Sequence, residues 1–214
     1  MTCTTCARPS LTQFASPELV GAIVSGGFDR AQDPAWRESG AATVEDYARW
    51  CGHLCGVTCL RMALGAGAPS LFALRDGAVK FGAYTVDADG EIHGMVYRPA
   101  VEYLREAHGV EAEVHRELTP DGIGALLDAG RLVIASVHYA IRRPHEPAPG
   151  RGGHLVLITA RTPDGAGFHF HNPSGTDRAT RTADLPVARF GDYFAGRGMS
   201  LVAPRADAQV GPEA

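Results

Sequence analysis

From Arg131 to Pro204 the chain lays down four apolar runs, "RLVIASVHYAI", "GHLVLITAR", "FHFHNPSG" and "GMSLVAP", separated by Gly, Pro and Asp turns. Runs of this length, rich in Val, Ile and Phe and bounded by turn residues, read as β-strands. The preceding half reads differently. "SPELVGAIVSGGF" starts a short helix with Ser16 as N-cap and Pro17 in its first turn, and Gly26 and Gly27 stop it. "CGVTCLRMALGAG" spaces Val57, Leu60 and Leu64 at helical intervals before Gly65 and Gly67. "PAVEYLREAH" and "TPDGIGALLDAG" are further short helices, and "AYTVDADGEIHGMVY" reads as a β-hairpin about an Asp-Gly turn. Helices first and strands later is the order of an α+β domain.

With 214 residues and 45% hydrophobic content the chain can bury a full core. One domain over residues 11–204 is expected, flanked by flexible tails at 1–10 and 205–214, where the sequence is polar and aperiodic. A net charge of -4 argues against a nucleic-acid or anionic-membrane partner. The start "MTCTTCARPSLTQF" has no basic region followed by an apolar run, and no segment approaches a membrane span, so a cytoplasmic location is expected. Five cysteines, an odd number, argue for reduced thiols rather than a disulfide framework.

Cys51, Cys55 and Cys59 recur every four residues, about one helical turn. The run lacks the Cys-x2-Cys pairs of structural zinc sites, so no metal and no cofactor are expected there. Cys3 and Cys6 do form a Cys-x2-Cys pair, but no partner pair for it is visible in the sequence. Cys59 reads as a buried core thiol. Cys55 falls at the start of a helix, where free N–H groups and the helix dipole lower a thiol pKa and cradle an oxyanion. Gly56 after it leaves room for a ligand.

A cysteine nucleophile needs a base and a group to orient that base. His154 in "GRGGHLVLITA" begins an apolar strand after two glycines, and Asn172 ends the run "FHFHNPSG". The expected triad is Cys55, His154 and Asn172. His169 and His171 alternate with Phe168 and Phe170 and read as one face of a half-exposed strand. The segment "IRRPHEPAPGRGG" leading to His154 is a candidate cleft loop, with Arg142, Arg143 and Arg151 available to a substrate carboxylate.

Taken together, "CGVTCLRMAL", "GGHLVLITA" and "FHFHNPSG" resemble, in order, the Cys, His and Asp/Asn blocks of the C39-like peptidases within the papain-like cysteine peptidase superfamily. The resemblance implies a papain-like α+β fold, with Cys55 at a helix N-terminus packed on an antiparallel sheet carrying His154 and Asn172. It also implies a cysteine-dependent hydrolase that cleaves an amide or thioester of a small peptide-like substrate through an acyl-enzyme. Alternatives are an acyltransferase or amide-forming enzyme of peptide natural products, and a catalytically silent domain that binds a peptide. The family usually carries a Gln about six residues before the cysteine, and Arg49 stands there. Arg49, Trp50, His53, Gly56 and Gly153 are therefore the oxyanion or substrate candidates. Cys51 is also followed by glycine, and only the downstream Leu-x-Met spacing favours Cys55 over it.

Overall fold

The computed structural model describes Cys6 and residues 8–203. The expected C-terminal tail and most of the expected N-terminal one, including Cys3, lie outside the described residues. The helices are α1 Val20–Val24, α2 Val44–Trp50, α3 Cys55–Leu64, α4 Leu71–Lys80, α5 Tyr97–His108, α6 Pro120–Asp128, α7 Arg178–Arg181 and α8 Val187–Tyr193. The strands are β1 Ala112–His115, β2 Arg131–His138, β3 Gly153–Arg161, β4 Gly167–His171, β5 Thr182–Pro186 and β6 Phe194–Val202.

They form one antiparallel sheet in the order β1-β6-β2-β3-β4-β5, as the α+β reading requires. Side chains alternate between its faces. Leu132, Ile134, Leu155 and Leu157 join the core under α2 to α5, whereas Val133, Ala135, Val156 and Ile158 join a second core with residues of α6 and α8. A strand covered on both faces is apolar at every position, which explains the unbroken runs in β2 and β3.

Three elements depart from the sequence reading. The hairpin at 83–97 is reduced to a single bridge, Val86 to Ile92. Two backbone bonds cross it, from Asp87 N–H to the Glu91 carbonyl and from His93 N–H to that of Thr85, and the Asp87 carboxylate closes the turn on the N–H groups of Asp89 and Glu91. α4 escaped the sequence reading because Gly77 interrupts its pattern. A Cβ at Gly77 would lie 2.4 Å from the Tyr103 hydroxyl, so the glycine is there to let α5 pack. The half-exposed face assigned to His169 and His171 is also wrong, since both are buried. β5 pairs along β4, and Cys6 and Pro9 reach His171 from the N-terminal segment.

That segment is held to α2 through Asp33. Its buried carboxylate accepts from the Ser16 hydroxyl (2.5 Å), the backbone N–H of Ser16 and Ala35, and the Tyr47 hydroxyl. Tyr47 in turn accepts from the Ala15 N–H at 2.8 Å. Asp33→Ala would strand several buried donors at once, each hydrogen bond to a charged group being worth about 1.5–3 kcal/mol. The expected loss is about 3 kcal/mol of unfolding free energy in urea, and a loss below about 1 kcal/mol would show that the network is dispensable.

Candidate active site

Cys55 is the first residue of α3, and its N-cap Leu54 offers no side-chain cap, so the first-turn N–H groups are left to other partners. α3 lies close on β3. A Cβ at Gly56 would come within 2.8 Å of Met95 Sδ and 3.0 Å of Leu155 Cδ1, so the glycine sets the distance between helix and strand. One turn on, the Cys59 thiol lies 3.6 Å from the Leu155 carbonyl oxygen. Leu155 follows His154, so this contact holds the cysteine helix against the histidine strand.

His154 is 5% exposed, and its Nε2 lies 2.8 Å from Asn172 Oδ1. The same Oδ1 is 3.1 Å from the backbone nitrogen of Ser174. A backbone N–H can only donate, so this atom of the amide is its oxygen, and His154 Nε2–H must donate to it. Nδ1 is thereby left as the basic nitrogen. The Ser174 hydroxyl lies 3.1 Å from His154 Nε2 and 3.2 Å from Asn172 Oδ1, and it accepts from Arg142 Nε at 2.8 Å. Ser174 and Arg142 thus belong to the same cluster. Ser174 sits two residues after Asn172, where a hydroxyl commonly folds back on a turn, a signal present in "HNPSG" but not used.

Burial pushes the Cys55 thiol up, against the lowering influence of the Leu155 and Gly56 backbone and of the Arg142 charge. The expectation of a thiol acidified by its helix start is therefore not met, because desolvation outweighs the backbone N–H groups and the Arg142 charge. Burial also lowers His154 to about 4, opposed by the hydrogen bond to Asn172 and reinforced by Arg142. Both groups rest neutral, Cys55 as the thiol and His154 as the imidazole.

The other candidates are placed elsewhere. Arg49 donates to the Gly90 carbonyl oxygen at the surface (3.3 Å). Trp50 is buried edge-on against Tyr84, with Arg75 over its ring at 4.9 Å. His53 is half-buried, and its pKa is lowered by burial and by Arg30. Gly153 opens β3 at a φ of 90° with open space where a side chain would be. Cys51 lies in the core, its thiol 3.9 Å from the Ala48 carbonyl and pushed up to about 11 by burial. Gln13, which the sequence reading passed over, donates from Nε2 to the Cys51 carbonyl (2.8 Å) and from its backbone to that of Pro173 (2.9 Å). It joins the approach to α3 with the turn after Asn172. Beside the cluster is a cavity of about 1280 Å³, lined in part by Arg142, Arg143, Arg178 and Arg181. Cys55, His154 and Asn172 are not in its wall; Arg142 links it to the cluster through Ser174, and Arg181 does so through its carbonyl oxygen, which accepts the Asn172 N–H at 2.8 Å.

No family model and no curated protein matches the sequence. Among solved structures, the chain is similar to the peptidase domain of Streptococcus ComA, a bi-functional ABC transporter involved in a quorum sensing pathway. That match has 16% identity and a TM-score of 0.49, over 72% of this chain and 93% of that one. It is also similar to a double glycine motif protease from an AMS/PCAT transporter, solved with the leader peptide. Here identity is 16% and the TM-score 0.44, over 70% of this chain and 84% of that one.

The depressed His154 pKa makes a stability prediction. The unfolded chain takes up a proton near the ordinary value of 6.5 and the folded one only near 4, so the contribution is complete above 6.5 and is lost as pH falls towards 4. At about 1.4 kcal/mol per unit the loss is on the order of 3 kcal/mol. Urea unfolding of wild type and His154→Gln across this range is expected to show the steeper acid loss in the wild type, and parallel curves would contradict it.

Proposed function

We propose that this chain is a cysteine-dependent hydrolase acting on an amide or thioester of a small peptide-like substrate. Cys55 is the nucleophile, His154 Nδ1 the base, and Asn172 the group that orients it. The observation that carries the reading is the hydrogen bonding at Asn172 Oδ1, which makes Nε2 of His154 the donor and Nδ1 the free base. A buried amide that fixes one imidazole tautomer, on the strand against which a helix-start cysteine packs, is what general-base activation of a thiol requires.

In this reading the thiol is ionised only as substrate arrives, its proton passing to His154 Nδ1 as sulfur attacks the carbonyl carbon. The imidazolium then returns the proton to the leaving amine or thiolate, and water, activated by the same nitrogen, releases the acid. Negative charge on the carbonyl oxygen is met by the first N–H groups of α3 and by the positive field of Arg142, which already acts on both Cys55 and His154. Tyr84 is a further donor. Its buried hydroxyl accepts from Val57 N–H at 3.4 Å and lies within electrostatic range of Cys55, leaving its own proton available.

The test is turnover of an activated ester of a short peptide, with and without an added amine, read by product mass. Cys55→Ala is expected to abolish the reaction and Cys51→Ala to leave it. His154→Ala is expected to slow it by about 10²- to 10⁴-fold. Because the base titrates at about 4, the acid limb of kcat/KM is expected near that pH rather than near 6.5. Full activity in Cys55→Ala, or an inert wild type, would reject the hydrolase reading, and an amide product formed in preference to the acid would replace it with acyl transfer.

A further inference from the structure

Away from Cys55, the structure brings together three side chains that the sequence reading kept apart. Cys6 comes from the N-terminal segment, and His169 and His171 from one face of β4. One ligand atom from each lies within 4.8 Å of the others, and Cys6 Sγ is 3.3 Å from His171 Nε2. Ligand atoms around a tetrahedral zinc stand about 3.3–3.8 Å apart, so a small contraction would close the group on an ion.

The outer contacts point the same way. His171 Nδ1 lies 3.2 Å from the Pro9 carbonyl oxygen, which can only accept, so Nδ1 carries the proton and Nε2 turns its lone pair towards Cys6. His169 Nδ1 lies 2.5 Å from the Asp184 carboxylate, which likewise leaves Nε2 as its ligand atom. A histidine whose second nitrogen is held by a carboxylate or a backbone carbonyl is the usual arrangement around protein zinc.

We propose that Cys6, His169 and His171 form a zinc site that clamps the N-terminal segment, at Cys6, to the end of β4. Thiolate and imidazole donors select zinc over hard cations. This revises the expectation of a metal-free chain at a place remote from the cysteine helix. The site adjoins the proposed catalytic machinery through the backbone, since His171 precedes Asn172.

The experiment is metal analysis of the full chain purified without chelator, followed by cobalt titration of the stripped protein. About one zinc per chain is expected. Cobalt is expected to give the intense visible bands of a tetrahedral ion with a thiolate charge-transfer band. Zinc is expected to slow alkylation of Cys6 by iodoacetamide relative to the stripped protein. Cys6→Ser is expected to weaken zinc binding at least tenfold, and Cys55→Ser to leave it unchanged. A reduced wild type that takes up neither ion overturns the site without bearing on the proposed hydrolase, as does zinc that follows Cys55 rather than Cys6. Undiminished affinity in Cys6→Ser overturns it as well.

Discussion

The closeness of α3 to β3 is the constraint on which the rest of the candidate site depends. It is set at Gly56, where any side chain would collide with Met95 and Leu155, and continued one turn on by Cys59 against the Leu155 carbonyl. Because Leu155 follows His154, the register of β3 under the helix decides where the imidazole emerges. β2 and β4 fix that register in turn, pairing Val137 with His154 and Leu157 with His171. A helix end and two strands far apart in sequence are thus locked into one local geometry by backbone pairing and a missing Cβ.

Electrostatics give the site its character. Cys55 and His154 are both desolvated, and each is driven to its neutral form. Arg142 is the balancing charge. Anchored on Ser174, it favours a thiolate at Cys55 while disfavouring an imidazolium at His154. A substrate that seals the site from water would strengthen both effects, since the field of a fixed charge grows as the dielectric falls. In the proposed reading, charge separation is deferred to the transition state, where the α3 N–H groups and Arg142 meet it.

β4 links the two clusters. Its Phe168 and Phe170 enter the second core, while His169 and His171 turn to the opposite face. Asn172, at its end, is held by its backbone N–H to the Arg181 carbonyl and receives His154 on its side chain. A clamp on His171 would stiffen the residue before Asn172, so the metal site and the orientation of the base share one short strand.

Much of this was legible in the sequence, for reasons that are local. Turn residues and apolar runs marked β2, β3, β4 and β6, the glycines closing α3 and α5 marked their ends, and the ordered Cys, His and Asn blocks singled out Cys55, His154 and Asn172. What escaped was decided by contacts across the fold. α4 hid behind a glycine that exists for Tyr103, and the hairpin at 83–97 shortened to one bridge closed by the Asp87 turn. Arg142 and Ser174 entered the cluster only because two loops meet, and the pKa of Cys55 was set by how deeply α3 is buried, which helix position alone does not reveal. The sequence by itself determined the element types and the chemistry each could carry, since periodicity and turn chemistry act over a few residues. Only the tertiary structure decided which groups meet and in which protonation state, because Cys6 and His171 are 165 residues apart and their encounter depends on every pairing in between.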